Sequence, residues 1–306
     1  MTNAVSTAAR PATSEMVRRL PEYLMIWVPL LLSAAHLISF SIWTIWISFT
    51  PSTLVPVSGW VGLRNYNSVL ASRNWQIAFD NLLLFGIAFV LLSLITGLAL
   101  AILLDQRIRG ENVLRTIFLY PLAVSFVVTG TVWSWLLNPG IGIEKLAHDL
   151  GWTAFHFDWL VNRDMAIWTI VIAAIWQSSG FAMALFLAGL RSVDSDIIKA
   201  AQIDGAGPIR TYRRVILPTL WPITVTVIVV QLQFAISAFD LVRALTNGGP
   251  GIATQLPALV VYDLMFQRSQ LGRGAAAAVL MLLILLAVLL PYAAWRYVRQ
   301  RRAAHA

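Results

Sequence analysis

Six long apolar stretches alternate with short polar segments along this sequence. Each has few charged residues and is long enough to cross the roughly 30 Å hydrocarbon core of a bilayer as a helix, which takes about 20 residues. The stretches cover residues 24–49, 78–104, 116–138, 166–190, 219–241 and 274–296. The pattern therefore predicts an all-α, polytopic membrane protein with six transmembrane helices.

Positive charges fall unevenly on the two sides that these spans define. Fifteen of the 22 Lys and Arg residues lie on one side, in the two terminal segments and in the loops at 105–115 and 191–218. Cytoplasmic loops of membrane proteins carry the excess of Lys and Arg. Both termini are therefore predicted to be cytoplasmic.

The composition supports a membrane protein. Of 306 residues, 58% are apolar and only 12% are charged, against roughly 25% charged in soluble proteins, and the mean hydropathy is +0.74. The net charge of +8 would suggest nucleic acid in a soluble domain, but membrane topology accounts for it here, so no nucleic-acid partner is expected. The absence of cysteine excludes disulfides, thiol nucleophiles and Cys-ligated metals.

Motifs for nucleotide hydrolysis and for catalysis are missing from the sequence. No stretch fits G-x-x-x-x-G-K-[ST], the loop that cradles phosphates, so the chain is not expected to bind or hydrolyse ATP itself. The four histidines are scattered, and neither H-E-x-x-H nor G-x-S-x-G occurs. We therefore expect no catalytic residues, no metal ligands and no cofactor bound by this chain.

The segment at 191–218, between the fourth and fifth apolar stretches, carries signals for a helix, a turn and a second helix. Asp194 or Ser195 is placed to cap the first helix, because a short side-chain oxygen can accept bonds from its free N–H groups. Asp204-Gly205 is a turn dipeptide, since glycine adopts positive φ freely. These residues therefore predict a turn between the two helices at Asp204-Gly205.

Two prolines set the limits of the second helix in this segment. Pro208 suits the first turn of a helix, and Pro218 is expected to stop that helix where the next span begins. On these residues alone, the segment is either a docking element or a plain hairpin that links two spans.

The same segment resembles the EAA loop of the permease subunits of bacterial binding-protein-dependent ABC importers. The family pattern is E-A-A-x-x-D-G-A, five variable residues, and then F-x-x-I-x-L-P. Tyr212 takes the place of the aromatic residue and Val215 that of the branched aliphatic one. Lys199 replaces the glutamate, so the salt bridge to the ATPase that the family makes through that glutamate is not expected here, while the docking itself is. The positions that match in register are Ala200, Ala201, Asp204, Gly205, Ala206, Leu217 and Pro218.

The resemblance extends across essentially the whole chain and is closest to the sugar-importer branch. Residues 60–66 fit the W-x-G-L-x-N-Y element of that branch, and residues 247–250 resemble its T-x-G-G-P turn. Three further segments are similar to permeases of glucose or mannose uptake systems, at residues 120–121, 133–140 and 188–190.

This resemblance implies a maltose-permease-like fold and a set of partners. The partners would be a second permease subunit in a heterodimer, two ATPase subunits that use ATP and Mg²⁺, and a periplasmic or extracellular sugar-binding protein. The complex would import glucose or a related hexose or glycoside through the bacterial inner (plasma) membrane. We expect cytoplasmic tails over 1–23 and 297–306, and one permease domain over 24–296 with its coupling loop at 191–218.

Polar and aromatic groups within the apolar stretches are candidates for the substrate pathway: Trp133, Gln177, Gln231, Gln233, Phe239 and Asp240. Unpaired amides and charges are costly in hydrocarbon, and sugars offer hydroxyls to amides and C–H faces to rings. Alternatives stay open, since span tryptophans often form interfacial belts and glutamines often bond neighbouring helices. Asp240 lies near the outer end of its span, where it is either a pathway residue, solvated, or paired with Arg243.

Two other classes of protein share some of these features. An ion-coupled secondary transporter could have six spans, but such carriers show inverted repeats and interrupted helices, and this sequence predicts neither. An intramembrane enzyme needs a nucleophile and a base within reach of each other, and no such pair is evident. The ABC permease is therefore favoured, with the ion-coupled carrier as the alternative.

Overall fold

The computed structural model describes residues 12–106 and 108–304, and this part of the chain is helical, without β-strands. Short helices and turns join a few long helices. In chain order, the α-helices of the described residues are α1 (Ala12–Ser48), α2 (Arg64–Leu70), α3 (Arg73–Asp105), α4 (Glu111–Leu119), α5 (Phe126–Leu136), α6 (Ile143–Asp149), α7 (Ala166–Arg191), α8 (Ser195–Ile203), α9 (Pro208–Thr211), α10 (Leu217–Thr219), α11 (Trp221–Ile236), α12 (Phe239–Leu245), α13 (Pro257–Tyr262) and α14 (Leu271–Ala304).

Four of the predicted spans are continuous helices. Stretches within α1, α3, α7 and α14 are long and apolar enough to cross a membrane. The third and fifth predicted spans are instead helix pairs, bent by 99° and 65°. Counting each pair as one span gives the six that hydropathy predicts. α1 and α14 also continue as helix into the predicted terminal tails, to Ala12 and Ala304.

The third span breaks between Ala123 and Phe126. Ser125 caps the second piece, since its hydroxyl accepts a hydrogen bond from the Val127 N–H at 3.3 Å. The carbonyl of Val124 accepts a bond of 2.7 Å from Nε2 of Gln177 on α7. A break at membrane depth frees backbone groups that need protein partners, and Gln177 supplies one.

The fifth span bends at Leu220, between Ile209–Thr219 and Trp221–Ile236. The expectation that Pro218 stops the preceding helix is therefore wrong by one residue, because helix α10 continues to Thr219. Pro222 favours a bend here, since it has no N–H to donate to the carbonyl four residues earlier. The expectation of uninterrupted spans is also wrong. The continuity of the spans therefore no longer argues against an ion-coupled secondary transporter.

Helices α3 and α7 pack side by side and form the centre of the core. Near mid-height, the stacked rings of Phe85 and Phe89 lie 5.4 Å apart beside Ile170. Near the C-terminal ends of α3 and α7, a second apolar cluster joins these helices to α11 and to the segment before it. Its buried members are Ala101, Leu104, Ala182, Met183, Phe186, Leu187, Leu190, Ile216, Leu220 and Val227. The helices on both sides of α8 are therefore anchored in one core.

The segment at 60–66 ties the end of α1 to α2. The Asn65 side-chain amide donates to the carbonyls of Ser48 at 2.9 Å and Thr50 at 2.8 Å. The ring of Trp60 stacks on that of Phe49, with centroids 4.8 Å apart. The Trp and Asn of the W-x-G-L-x-N-Y element thus have a structural role in closing the first span onto the bundle.

Gly180 allows close packing of α7 on the third span. A Cβ atom at this position would lie 2.0 Å from the carbonyl oxygen of Phe118 and 3.3 Å from the Cα of Leu119, both backbone atoms. We expect Gly180→Ala to destabilise the protein by about 1–3 kcal/mol through overpacking. The change is measured as the unfolding midpoint of the purified chain in detergent.

Gly86 provides the matched control for this prediction. It is also a helical glycine in a span, but a Cβ there would lie 3.9 Å from Cβ of Ala235, an ordinary contact. Gly86→Ala should therefore be neutral or slightly stabilising, since alanine favours helix by up to about 1 kcal/mol. Equal stability of the two variants would show that α7 does not pack this closely on α4.

Candidate coupling site and polar face

Helix α8 projects from the end of α7 as a short capped helix. The carboxylate of Asp194 accepts a hydrogen bond from the N–H of Asp196 at 2.9 Å, as predicted for an N-cap at this position. Lys199 forms an ion pair of 2.8 Å with Asp196 in the same helix, and both side chains are largely exposed. The lysine that replaces the family glutamate therefore has an internal partner in α8.

The predicted turn follows α8 directly. The N–H groups of Asp204 and Ala206 each donate to α8, at 3.0 Å to the carbonyls of Ala200 and Ala201. Gly205 has φ of +74°, and apart from its chain neighbours no atom of the described residues lies within 4 Å of where its Cβ would be. The backbone, and not crowding, requires glycine here.

The second half of the loop is anchored more firmly than the first. It comprises α9, a π-helical turn over Tyr212–Ile216, and α10. Ile216 is buried in the core cluster at this end, and Tyr212 packs against that cluster. Arg210, Arg213 and Arg214 are exposed and line a cleft of about 640 Å³ beside the turn.

Apolar side chains project from this charged end of the molecule. Ile203 is 85% exposed, Ile209 84% and Ile197 51%. Single exposed apolar residues are ordinary, but these three lie within 13 residues that fold as one helix–turn–helix. The loop therefore offers an apolar contact surface bordered by arginines.

Arg191 fixes the base of this loop. Its guanidinium lies 2.5 Å from the Glu111 carboxylate at the start of α4 and 3.9 Å from that of Asp105 at the end of α3. The pairs are partly exposed, so their contribution to stability is small. Their geometry nevertheless joins the ends of three helices next to α8.

Two of the six predicted pathway residues are buried within this subunit. Gln177 is 1% exposed and bonds the break in the third span, while Gln231 is fully buried and donates to Ser178 Oγ at 3.3 Å. Both amides therefore link helices, which is the alternative interpretation in the case of Gln231. Their Oε1 atoms are buried without a partner among the described residues.

Of the other four residues, Gln233 and Asp240 are exposed, whereas Trp133 and Phe239 are half-buried against the apolar core. Trp133 forms an edge-to-face pair with Trp176, with ring centroids 6.0 Å apart, and Gln233 on α11 is exposed. α11 ends at Ile236, so Phe239 and Asp240 belong to α12 and not to the fifth span as predicted from hydropathy.

Asp240 is exposed at the start of α12 and does not pair with Arg243. The guanidinium of Arg243 instead bonds the side chain of Asn247 and lies 4.9 Å from the ring centroid of Tyr262. Gln233 on α11 and Asp240 on α12 are thus two exposed polar residues of consecutive helices, termed the polar face. A buried polar site formed by all six residues is not present in this subunit.

A grouping that sequence reasoning missed lies between α5 and α7. Glu144, His148 and His156 each offer a ligand atom, and these atoms lie within 4.8 Å of one another. Hydrogen bonds from His156 and from the Phe157 N–H hold the pKa of the Glu144 carboxyl below its usual value. The four-residue spacing of Glu144 and His148 was the available signal, since it places both on one helix face.

Comparison with known proteins agrees with this architecture. A bacterial ABC transporter involved in import of the acidic polysaccharide alginate has a similar fold, with a TM-score of 0.78, 19% identity, and coverage of 91% of this chain and 95% of that one. A probable ABC transporter permease protein of Pyrococcus horikoshii is 38% identical over 286 residues, 92% of this chain and 98% of the relative.

Two relatives with named substrates are also similar. The xylose/arabinose import permease protein of Haloferax volcanii is 37% identical over 237 residues, 77% of this chain and 74% of the relative. The trehalose/maltose transport system permease protein of Thermococcus litoralis is 32% identical over 272 residues, 88% and 91% of the two chains.

The family comparison covers most of the chain. Residues 90–303 match the family described as "Binding-protein-dependent transport system inner membrane component". That range contains α8, its turn and the helices that anchor them. The chain therefore belongs to this family, as a multi-pass membrane permease of an ABC transporter and not an enzyme.

Proposed function

We propose that this chain is one of two permease subunits of an ATP-driven importer that moves a sugar into the cytoplasm by alternating access. The observation that carries the proposal is the helix–turn–helix at 195–219, which presents exposed isoleucines where two anchored helices meet. Family membership favours this function over an ion-coupled carrier, although two spans are interrupted.

Coupling in this proposal uses α8 as a docking helix in an ATPase subunit. Ala200 and Ala201 permit close approach, Ile197 and Ile203 supply apolar contact, and Lys199, Asp204, Gly205 and Ala206 complete the loop. Movement of α8 reaches α7 directly, and reaches α11 through Tyr212, Leu217 and Pro218. ATP can shift the permease only through its differential affinity for the two conformations, so loose docking weakens coupling before it affects folding.

In this proposal, the polar face of α11 and α12 lines one side of the substrate pathway. Exposing an amide or a carboxylate to the hydrocarbon of the bilayer costs free energy. We therefore propose that Gln233 and Asp240 face a partner subunit across an aqueous path and do not face lipid. Trp133 and Phe239 add aromatic surface that suits the C–H faces of sugars. Gln177 and Gln231 position the helices that carry this face.

We propose the remaining partners from the chain's membership of the family. A second permease would complete the pathway as a heterodimer, two ATPase subunits would bind ATP and Mg²⁺, and a periplasmic or extracellular binding protein would deliver the sugar. We place the chain in a bacterial inner (plasma) membrane, with cytoplasmic tails at 1–23 and 297–306 and the permease domain at 24–296. Residues 1–11, 107, 305 and 306 lie outside the described part of the chain.

For the substrate, we propose glucose or a related hexose or glycoside. Relatives named for xylose/arabinose and trehalose/maltose import support the sugar class. The test is ATP hydrolysis by the purified complex with its binding protein, assayed with glucose, maltose and xylose in turn. Stimulation by glucose or maltose supports the proposal, stimulation by xylose alone supports a sugar importer but contradicts a hexose substrate, and equal hydrolysis with and without every sugar contradicts both.

The pathway assignment is tested in the same complex with Asp240→Ala. Loss of a charged hydrogen-bonding group should reduce sugar uptake about tenfold while the yield of assembled complex stays unchanged. Asp164→Ala is the matched control, since Asp164 is also an exposed acid but lies outside the polar face. Unchanged uptake by Asp240→Ala, or an equal loss in the control, would remove Asp240 from the pathway.

A further inference from the structure

The segment between α5 and α7 brings an acid and two histidines together. Glu144 and His148 are one turn apart on α6, and His156 comes from the loop that follows. One ligand atom from each of the three lies within 4.8 Å of the other two. The grouping is far in the sequence from the coupling loop and from the polar face, and the proposed function does not use it.

Hydrogen bonds around the three side chains resemble those of metal-binding residues. Nε2 of His148 lies 2.8 Å from the carbonyl oxygen of Phe155. Because a carbonyl only accepts, this nitrogen carries the proton of the neutral ring, and Nδ1 keeps a free lone pair. Metal-binding histidines commonly have their second nitrogen fixed in this way by a carbonyl or a carboxylate.

The Glu144 carboxylate is held in place by the loop that follows α6. Its Oε2 accepts a bond of 3.3 Å from the N–H of Phe157, and its Oε1 lies 3.2 Å from Nδ1 of His156. The Glu144 side chain is only 12% exposed, whereas that of His156 is 74% exposed. One ligand is therefore fixed, and the outer histidine has room to rotate towards a metal.

We propose that Glu144, His148 and His156 form a Zn²⁺ site. Two imidazoles and one carboxylate favour zinc over Mg²⁺ or Ca²⁺, which prefer oxygen ligands alone. Ligand atoms about 2.0–2.1 Å from a tetrahedral zinc are roughly 3.3 Å apart. The three ligand atoms here lie within 4.8 Å of one another, so side-chain movements of about 1.5 Å or less would bring each pair to that distance. A water would complete the coordination, and the metal would join α6 to the loop at 150–157.

The test is zinc binding by the full-length chain in detergent, purified without a polyhistidine tag and followed by equilibrium dialysis and metal analysis. We expect one zinc per chain, with the affinity reduced about tenfold or more in His148→Ala and in Glu144→Gln. Circular dichroism and gel filtration of each variant report whether it is folded. His36→Ala is the control, since His36 lies in the first span, and this variant should bind zinc as the wild type does.

Two results would overturn the proposal. One is a wild-type chain that binds no zinc at micromolar free metal. The other is zinc bound equally by wild type, His148→Ala and Glu144→Gln, which would show binding elsewhere on the chain. Loss of binding in the two folded variants, with retention in His36→Ala, supports the site independently of any transport activity.

Discussion

Gly205→Val is expected to reduce ATP-driven uptake at least about tenfold while membrane insertion and yield stay unchanged. Gly205 has φ of +74° in the turn after α8, a conformation that costs other residues about 1–2 kcal/mol and β-branched residues more. Because the described part of the chain, its two neighbours aside, places no atom within 4 Å of its Cβ position, the valine strains only the turn that orients α8. Each 1.4 kcal/mol lost from docking is a factor of ten.

Two glycines serve as matched controls for this prediction. Gly207 also has open space around its Cβ position but no positive φ, so Gly207→Val tests the added side chain without strain. Gly151 has φ of +94° and open space, but it follows α6, on the predicted outer side of the membrane, so Gly151→Val applies the strain away from the coupling loop. Wild-type uptake by Gly205→Val, or an equal loss in Gly151→Val, would argue against the coupling role.

Ile203→Glu is expected to release the ATPase subunit from the complex. Ile203 is 85% exposed, so the substitution should change the stability of this subunit by no more than about 0.5 kcal/mol. In the docked complex the glutamate would be buried without a partner, which is costly. Loss of an apolar anchor at an interface commonly costs about 2 kcal/mol or more, and we expect at least tenfold less ATPase to copurify with the tagged permease.

Leu150→Glu controls for the general effect of a surface glutamate. Leu150 is 73% exposed and follows α6, remote in the sequence from α8. This variant should retain the ATPase at the wild-type level. Full recovery of the ATPase with Ile203→Glu would mean that α8 is not the docking helix.

Hydropathy predicted where the chain crosses the membrane but not how it crosses. The four continuous spans are uniform apolar runs, which a window of about 20 residues detects. The same window averages over Ser125 and Pro222, so hydropathy did not predict the bends of 99° and 65° in the third and fifth spans. As a result, the fifth span was extended to residue 241, although α11 ends at Ile236.

The structure of the loop at 191–218 was predictable because its signals are local. Asp194 and Gly205 act through neighbouring backbone groups, and a cap and a positive φ depend on residue type alone. The exposure of the polar residues on α11 and α12 was less predictable, since hydropathy does not tell which side of a helix faces its neighbours. Gln231 and Gln233 are two residues apart on α11, yet the first is buried and the second exposed.

The central claim is that this subunit moves sugar only when its partner ATPase hydrolyses ATP. The most direct measurement is uptake of labelled sugar into proteoliposomes that contain the purified complex, with the sugar-loaded binding protein outside and ATP inside. We predict uptake that requires both ATP and the binding protein and that Gly205→Val reduces at least about tenfold. Uptake by this chain alone, without ATP and driven by a proton or sodium gradient, would contradict the account.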